Sequence, residues 1–87
     1  MTGETSSGFA YEMDDDVRDD AELLESLLEL NNGDGTVVPK LAEQLLGAEG
    51  KKALYDHCRG DNGRVRLSLV SAEIREILEN VTGAKKN

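Results

Sequence analysis

Apolar residues recur along this chain in two rhythms. Near the start, Phe9, Tyr11 and Met13 alternate with Ala10 and Glu12. A period of two marks an extended segment with one apolar face. Val65 and Leu67 around Arg66 give the only comparable alternation, so these two segments are expected to pair. From residue 20 onward the rhythm becomes three-four. Leu23, Leu24, Leu27, Leu28 and Leu30 predict one buried helical stripe, over about Asp19 or Asp20 to Leu30. Val38, Leu41, Ala42, Leu45 and Leu46 predict a second helix, from Val37 or Val38 to Leu46. Leu54, Tyr55 and Cys58 predict a third, Ala48 to Arg59. Val70, Ile74, Ile77, Leu78 and Val81 predict a fourth, Ser68 to Thr82.

The punctuation supports these bounds. Acidic residues precede and fill the first turn of the first helix, where they complement the positive end of its dipole. Asn31 to Gly35 interrupts the pattern. Pro39 falls in the first turn of the second helix, where its missing N–H costs nothing. Gly47, Gly60 and Gly83 sit where C-terminal caps are needed, and Asp61-Asn62-Gly63 reads as a turn. The expected fold is all-α: a small bundle of about four short helices, with an extended N-terminal segment able to form a short strand. Residues 1–8 read as a disordered arm, 9–82 as a single helical domain and 83–87 as a flexible tail.

Eighty-seven residues bury only about 60% of their unfolded surface, which leaves a marginal core and room for a partner or a homo-oligomer. The net charge of -8 is unevenly placed. Met1 to Thr36 carries eleven carboxylates against Arg18 alone, while Val37 to Asn87 carries nine basic and seven acidic residues. Nucleic-acid binding is disfavoured, because phosphates attract basic surfaces. With no tryptophan, and with Phe9, Tyr11 and Tyr55 as the only aromatics, there is no platform for stacked bases. No apolar run approaches the ~20 residues of a membrane span, and no signal-peptide pattern is present. A single cysteine excludes an internal disulfide and suits a reducing cytoplasm.

The candidate chemistry is thin. Asn31-Asn32-Gly33-Asp34-Gly35 imitates a calcium loop between two helices. Setting Gly35 at the loop's sixth position puts Leu30 and Leu41 at its first and last ligand positions. Without a bidentate carboxylate there, calcium has little to hold it. His57 and Cys58 are sequence neighbours, which point apart on a helix, so an activated thiolate is not expected. Asp14-Asp15-Asp16 reads as a helix entry rather than a metal site. No metal, cofactor or catalytic residue is implied. What remains is binding. Phe9, Tyr11 and Met13 lie outside the helical stripes, and Leu69 falls off the stripe of the fourth helix. These four are the candidate partner-binding residues.

Several stretches together resemble a known family. They are the Asp19-Asp20 entry with Leu23, Leu24 and Leu27, then Leu45-Leu46-Gly47 and Leu54-Tyr55-Asp56-His57. Gly63-Arg64-Val65, and Glu73-Ile74 with Glu76-Ile77, complete the pattern. The chain resembles the small tail assembly chaperones of long-tailed bacteriophages and prophages of Gram-positive bacteria. It differs from them in the glycine-rich Asn31 to Gly35 connection, in Cys58 and in the serine-flanked start of the fourth helix. The resemblance implies a non-catalytic protein of the bacterial host cytoplasm. Such a protein binds the tape measure protein, and other tail components, and keeps it soluble until the tail tube forms around it. The matching positions are scaffold residues in that family. The competing expectations are an acidic inhibitor or adaptor that mimics nucleic acid toward a basic partner, and, further off, a calcium-responsive adaptor.

Overall fold

The computed structural model describes residues 1–82. Two short strands, β1 (Thr2–Glu4) and β2 (Ala10–Glu12), are followed by three helices, α1 (Ala21–Asn31), α2 (Val38–His57) and α3 (Leu67–Thr82). Short 3-10 turns over Asp15–Asp19 and Gly35–Val37 lead into α1 and α2. The expected all-α bundle of about four helices is therefore corrected to a mixed α/β fold of three helices and one antiparallel hairpin.

The hairpin replaces two expectations. The period-two segment does form a strand, but its partner is β1, in register Thr2 with Glu12, Gly3 with Tyr11 and Glu4 with Ala10. Residues 1–8 are thus folded back onto the domain instead of forming an arm. β1 has no apolar signature, because its two-residue period carries only Thr2, Gly3 and Glu4, so backbone pairing alone specifies it. Gly3 has a steric reason to be glycine: a Cβ there would collide with the Tyr11 hydroxyl and the adjoining ring carbons. Val65 pairs instead with Arg59 in a single bridge that closes the α2–α3 connection.

α1 begins where the acidic run predicts. The Asp20 Oδ1 accepts from the backbone N–H groups of Glu22 (2.9 Å) and Leu23 (3.1 Å), filling two of the donors a helix start leaves open. The second and third expected helices are one helical element, α2. Gly47 still breaks its geometry, with φ 75° and ψ 174°, a region only glycine enters without strain. The result is a kink.

The core is continuous through β2 and the three helices, and β1 adds no buried apolar side chain to it. Val38, Leu41, Ala42, Leu45 and Leu54 of α2 meet Val70, Ile74, Ile77, Leu78 and Val81 of α3. Phe9, Tyr11, Met13 and Val17 cover one side, and Leu23 and Leu30 of α1 another. The stripe of α1 is narrower than expected. Leu23 and Leu30 are buried and Leu27 is half-buried, but Leu24 and Leu28 are exposed. Five leucines spread over too wide an arc of the helix, and α1 packs on one side only, against α2 and the turn before it. The expected flexible tail, residues 83–87, with its expected cap at Gly83, lies outside the described residues.

Candidate functional site

Among the described residues, polar side chains gather at the hairpin tip and in a groove, and large apolar ones stand in water on α1 and at the start of α3. The first polar place is the tip of the hairpin. Thr5, Ser6 and Ser7 rest against α3 and the end of α2. The Thr5 hydroxyl donates to Glu73 Oε1 at 2.7 Å, and the Ser7 hydroxyl to Glu73 Oε2 at 2.9 Å. Ser6 gives its backbone N–H to Glu76 Oε2 at 2.6 Å and its hydroxyl to Glu76 Oε1 at 2.8 Å. Glu73 and Glu76 are three apart, so they present both carboxylates on one face of α3. Glu73 is buried, and its two hydroxyl donors offset the cost of removing its carboxylate from water.

Ser7 also lies 2.9 Å from His57 Nε2. Serine, histidine and glutamate within reach of one another resemble a nucleophilic triad, but the wiring differs. In a working triad the carboxylate holds the far nitrogen of the ring and leaves the serine to the near one. Here both oxygens of Glu73 go to hydroxyls, one of them that of Ser7 itself. The His57 ring packs against Phe9, with centroids 5.4 Å apart. The cluster acts as a latch that clamps the hairpin. Cys58 lies buried beneath it, as expected, with His57 at the surface. Burial, and then the nearby negative charge of Glu73, push the Cys58 thiol above its ordinary pKa, which keeps it protonated and unreactive.

The second polar place is a groove of about 600 Å³ between the entry to α1 and the middle of α2. Its walls carry Glu12, Asp14, Asp16, Asp19, Glu22 and Glu43, among others. These carboxylates line it without converging: among the described residues, no group of three or more His, Cys, Asp or Glu is placed to hold a metal ion. Asp34, in the glycine-rich connection, accepts from the N–H and hydroxyl of Thr36 and so serves its own turn. Leu30 and Leu41, which occupy the end positions of the imitation calcium loop, are core residues.

Of the four candidate binding residues, three are in the core. Phe9, Tyr11 and Met13 are exposed by only 6%, 7% and 5%, so this conformation offers no surface there. Tyr11 fixes its ring further by accepting from Asn80 Nδ2 at 3.0 Å. Leu69 is exposed, beside Leu67 at the start of α3. The sequence reading missed Leu24 and Leu28, exposed by 58% and 55%. The available signal was the width of the leucine arc, wider than one neighbouring helix covers. Among the described residues, no helix is long and apolar enough to cross a membrane. No protein-family model matches this chain, and comparison with curated proteins and with solved structures likewise gives no match.

Proposed function

We propose that this chain is a non-catalytic chaperone of the phage tail assembly kind, which binds the tape measure protein in the host cytoplasm and keeps it soluble until the tail tube encloses it. One observation carries the reading. Four large apolar side chains, Leu24, Leu28, Leu67 and Leu69, stay in water on a small body of net charge -8. A chaperone for a long helical chain needs this combination. Its apolar side chains cover the client's stripes reversibly, and its charge keeps the complex dispersed. The resemblance of the Asp19-Asp20 entry and the following leucines to that family supports it as well. Co-expression with the tape measure protein of a long-tailed phage tests the reading. The soluble share of that protein should rise several-fold. An unchanged share rejects it.

The acidic groove favours a second reading, an inhibitor or adaptor that presents carboxylates to a basic partner in place of nucleic acid. Much of the acidic excess lies in ordered walls. The two readings separate by mutation. A charge-driven complex survives serine at all four of Leu24, Leu28, Leu67 and Leu69 and is lost when Asp16, Asp19 and Glu43 become amides. A chaperone complex is lost with the four leucines and only weakened by the amides.

A further inference from the structure

Leu24 and Leu28 stand one turn apart on α1, about 40° from each other around its axis, so they form a single stripe. Ala21 continues that stripe toward the helix start and is also exposed. Along one side of it run Glu22, Glu25 and Glu29, all exposed and none in a salt bridge among the described residues. α1 contains neither lysine nor arginine. An apolar stripe with a purely anionic border is chemically one-sided, and that fixes what can cover it.

A second copy fits poorly. In a two-fold pairing of α1 with itself, the same patch meets the same patch, so glutamates lie opposite glutamates with no cation to offset them. Elsewhere on the chain the exposed leucines near arginines are Leu67 and Leu69, beside Arg64 and Arg66. They are two positions apart and so lie about 200° apart on a helix, which makes no stripe. The net charge of -8 on each copy opposes approach further.

We propose that the outward face of α1 docks one amphipathic helix of another protein, whose apolar side chains recur at three-four spacing and are bordered by lysines or arginines. The proposal rests on the chaperone reading and names its surface and the chemistry of its client. The direction of the client follows as well. Ala21 and Glu22 at the start of α1 are also part of the wall of the acidic groove, with Asp16, Asp19 and Glu43. The carboxylates there outweigh the partial positive charge of the helix start. The client helix therefore carries its densest basic residues at the end lying over the N-terminus of α1. Burial of the leucines supplies affinity, and the charge border supplies register and excludes acidic helices.

The test uses the full chain, isotopically labelled, and two synthetic helical peptides of roughly 18 residues with the same leucine stripe. One has lysine borders and the other glutamate borders. The lysine peptide should shift amide resonances of residues 21–29 and of the groove wall, and the glutamate peptide should not bind. Leu24→Ser with Leu28→Ser should weaken the lysine peptide by about tenfold or more. It should shift the melting temperature by less than about 4–8 °C, since both side chains are on the surface. Glu25→Lys with Glu29→Lys should reverse the preference between the peptides. Shifts that map to Leu67 and Leu69, equal binding of both peptides, or a peptide-free dimer abolished by the leucine changes would each overturn the proposal. The chaperone reading is judged separately. If the leucine variant still solubilises the tape measure protein, the chaperone role stands and this surface is wrong. If the wild-type chain fails to solubilise it while the lysine peptide still binds α1, the role is wrong and the surface stands.

Discussion

The carboxylate of Glu73 accepts the Thr5 hydroxyl at 2.7 Å, joining two residues 68 positions apart in the chain. Thr5 also closes the hairpin loop with Phe9: its N–H donates to Phe9 O at 2.9 Å, and the Phe9 N–H donates to the Thr5 hydroxyl oxygen at 3.2 Å. Glu73 meets it from the buried side of α3. The bond therefore holds the hairpin over the core, and Phe9 and Tyr11 are buried as a consequence. Changing Glu73 to Ala leaves Thr5 and Ser7 without their acceptor, and should destabilise the fold by about 1–3 kcal/mol. Thr5→Val should cost less. A double-mutant cycle by denaturant unfolding should show that the two losses are not additive. Additive losses would mean the bond contributes nothing of its own.

Phe9, Tyr11 and Met13 should behave as core, and Leu24 and Leu28 as surface. Phe9→Ala alone should cost about 3 kcal/mol or more. Changing all three hairpin residues to serine should abolish cooperative unfolding, because a domain of this size holds only roughly 5–10 kcal/mol. Leu24→Ser with Leu28→Ser should change stability by less than about 1 kcal/mol. Thermal melts followed by circular dichroism compare them directly. A stable triple-serine variant would place the hairpin outside the folding unit.

Two glycines should resist alanine for different reasons. At Gly3 the added methyl meets the Tyr11 ring, which is held by Asn80 and cannot swing away freely. The expected loss is about 1–3 kcal/mol, and Tyr11→Phe should recover little of it, since the ring carbons also crowd the site. At Gly47 the space is open but φ is 75°, so the cost is backbone strain of about 1–3 kcal/mol. With ψ at 174° this is not the left-handed helical well that asparagine tolerates but a region essentially reserved for glycine, so asparagine should cost about as much as alanine at Gly47. An alanine variant at Gly47 as stable as the wild type would remove the conformational explanation.

Cys58 gives the pH dependence a direction. Burial, and then the charge of Glu73, raise its pKa from the ordinary 9.0. The folded state then keeps the thiol proton in a range where the unfolded chain has lost it. Its contribution to stability is complete below the unfolded value and is lost as pH rises toward the folded one. Between about pH 8 and pH 10 the wild type should therefore lose stability faster than Cys58→Ala. Iodoacetamide should label Cys58 slowly in buffer and rapidly in denaturant. Parallel pH curves for the two proteins would show that the thiol is not responsible.

The sequence by itself determined the parts whose physics is local. The Asp20 cap, Pro39 in the first turn of α2, the stripe from Val70 to Val81 and the alternation of Phe9, Tyr11 and Met13 all depend on residues within a turn or two of one another. The break at Gly47 was also legible, since only backbone freedom was at stake. The absence of calcium ligands at Leu30 and Leu41 could be read from residue type alone. Tertiary structure decided everything that depended on a neighbour distant in the chain. β1 has no apolar period, so Thr2–Glu4 becomes a strand only because β2 offers it an edge. The alternation at Phe9 to Met13 signals an apolar face, but whether that face meets a partner or the chain's own core depends on Glu73 and Glu76 receiving the hairpin tip. Leu23 and Leu24 are equally apolar and adjacent. One is buried and the other left in water because α1 has a neighbour on one side only, and no residue within α1 encodes that.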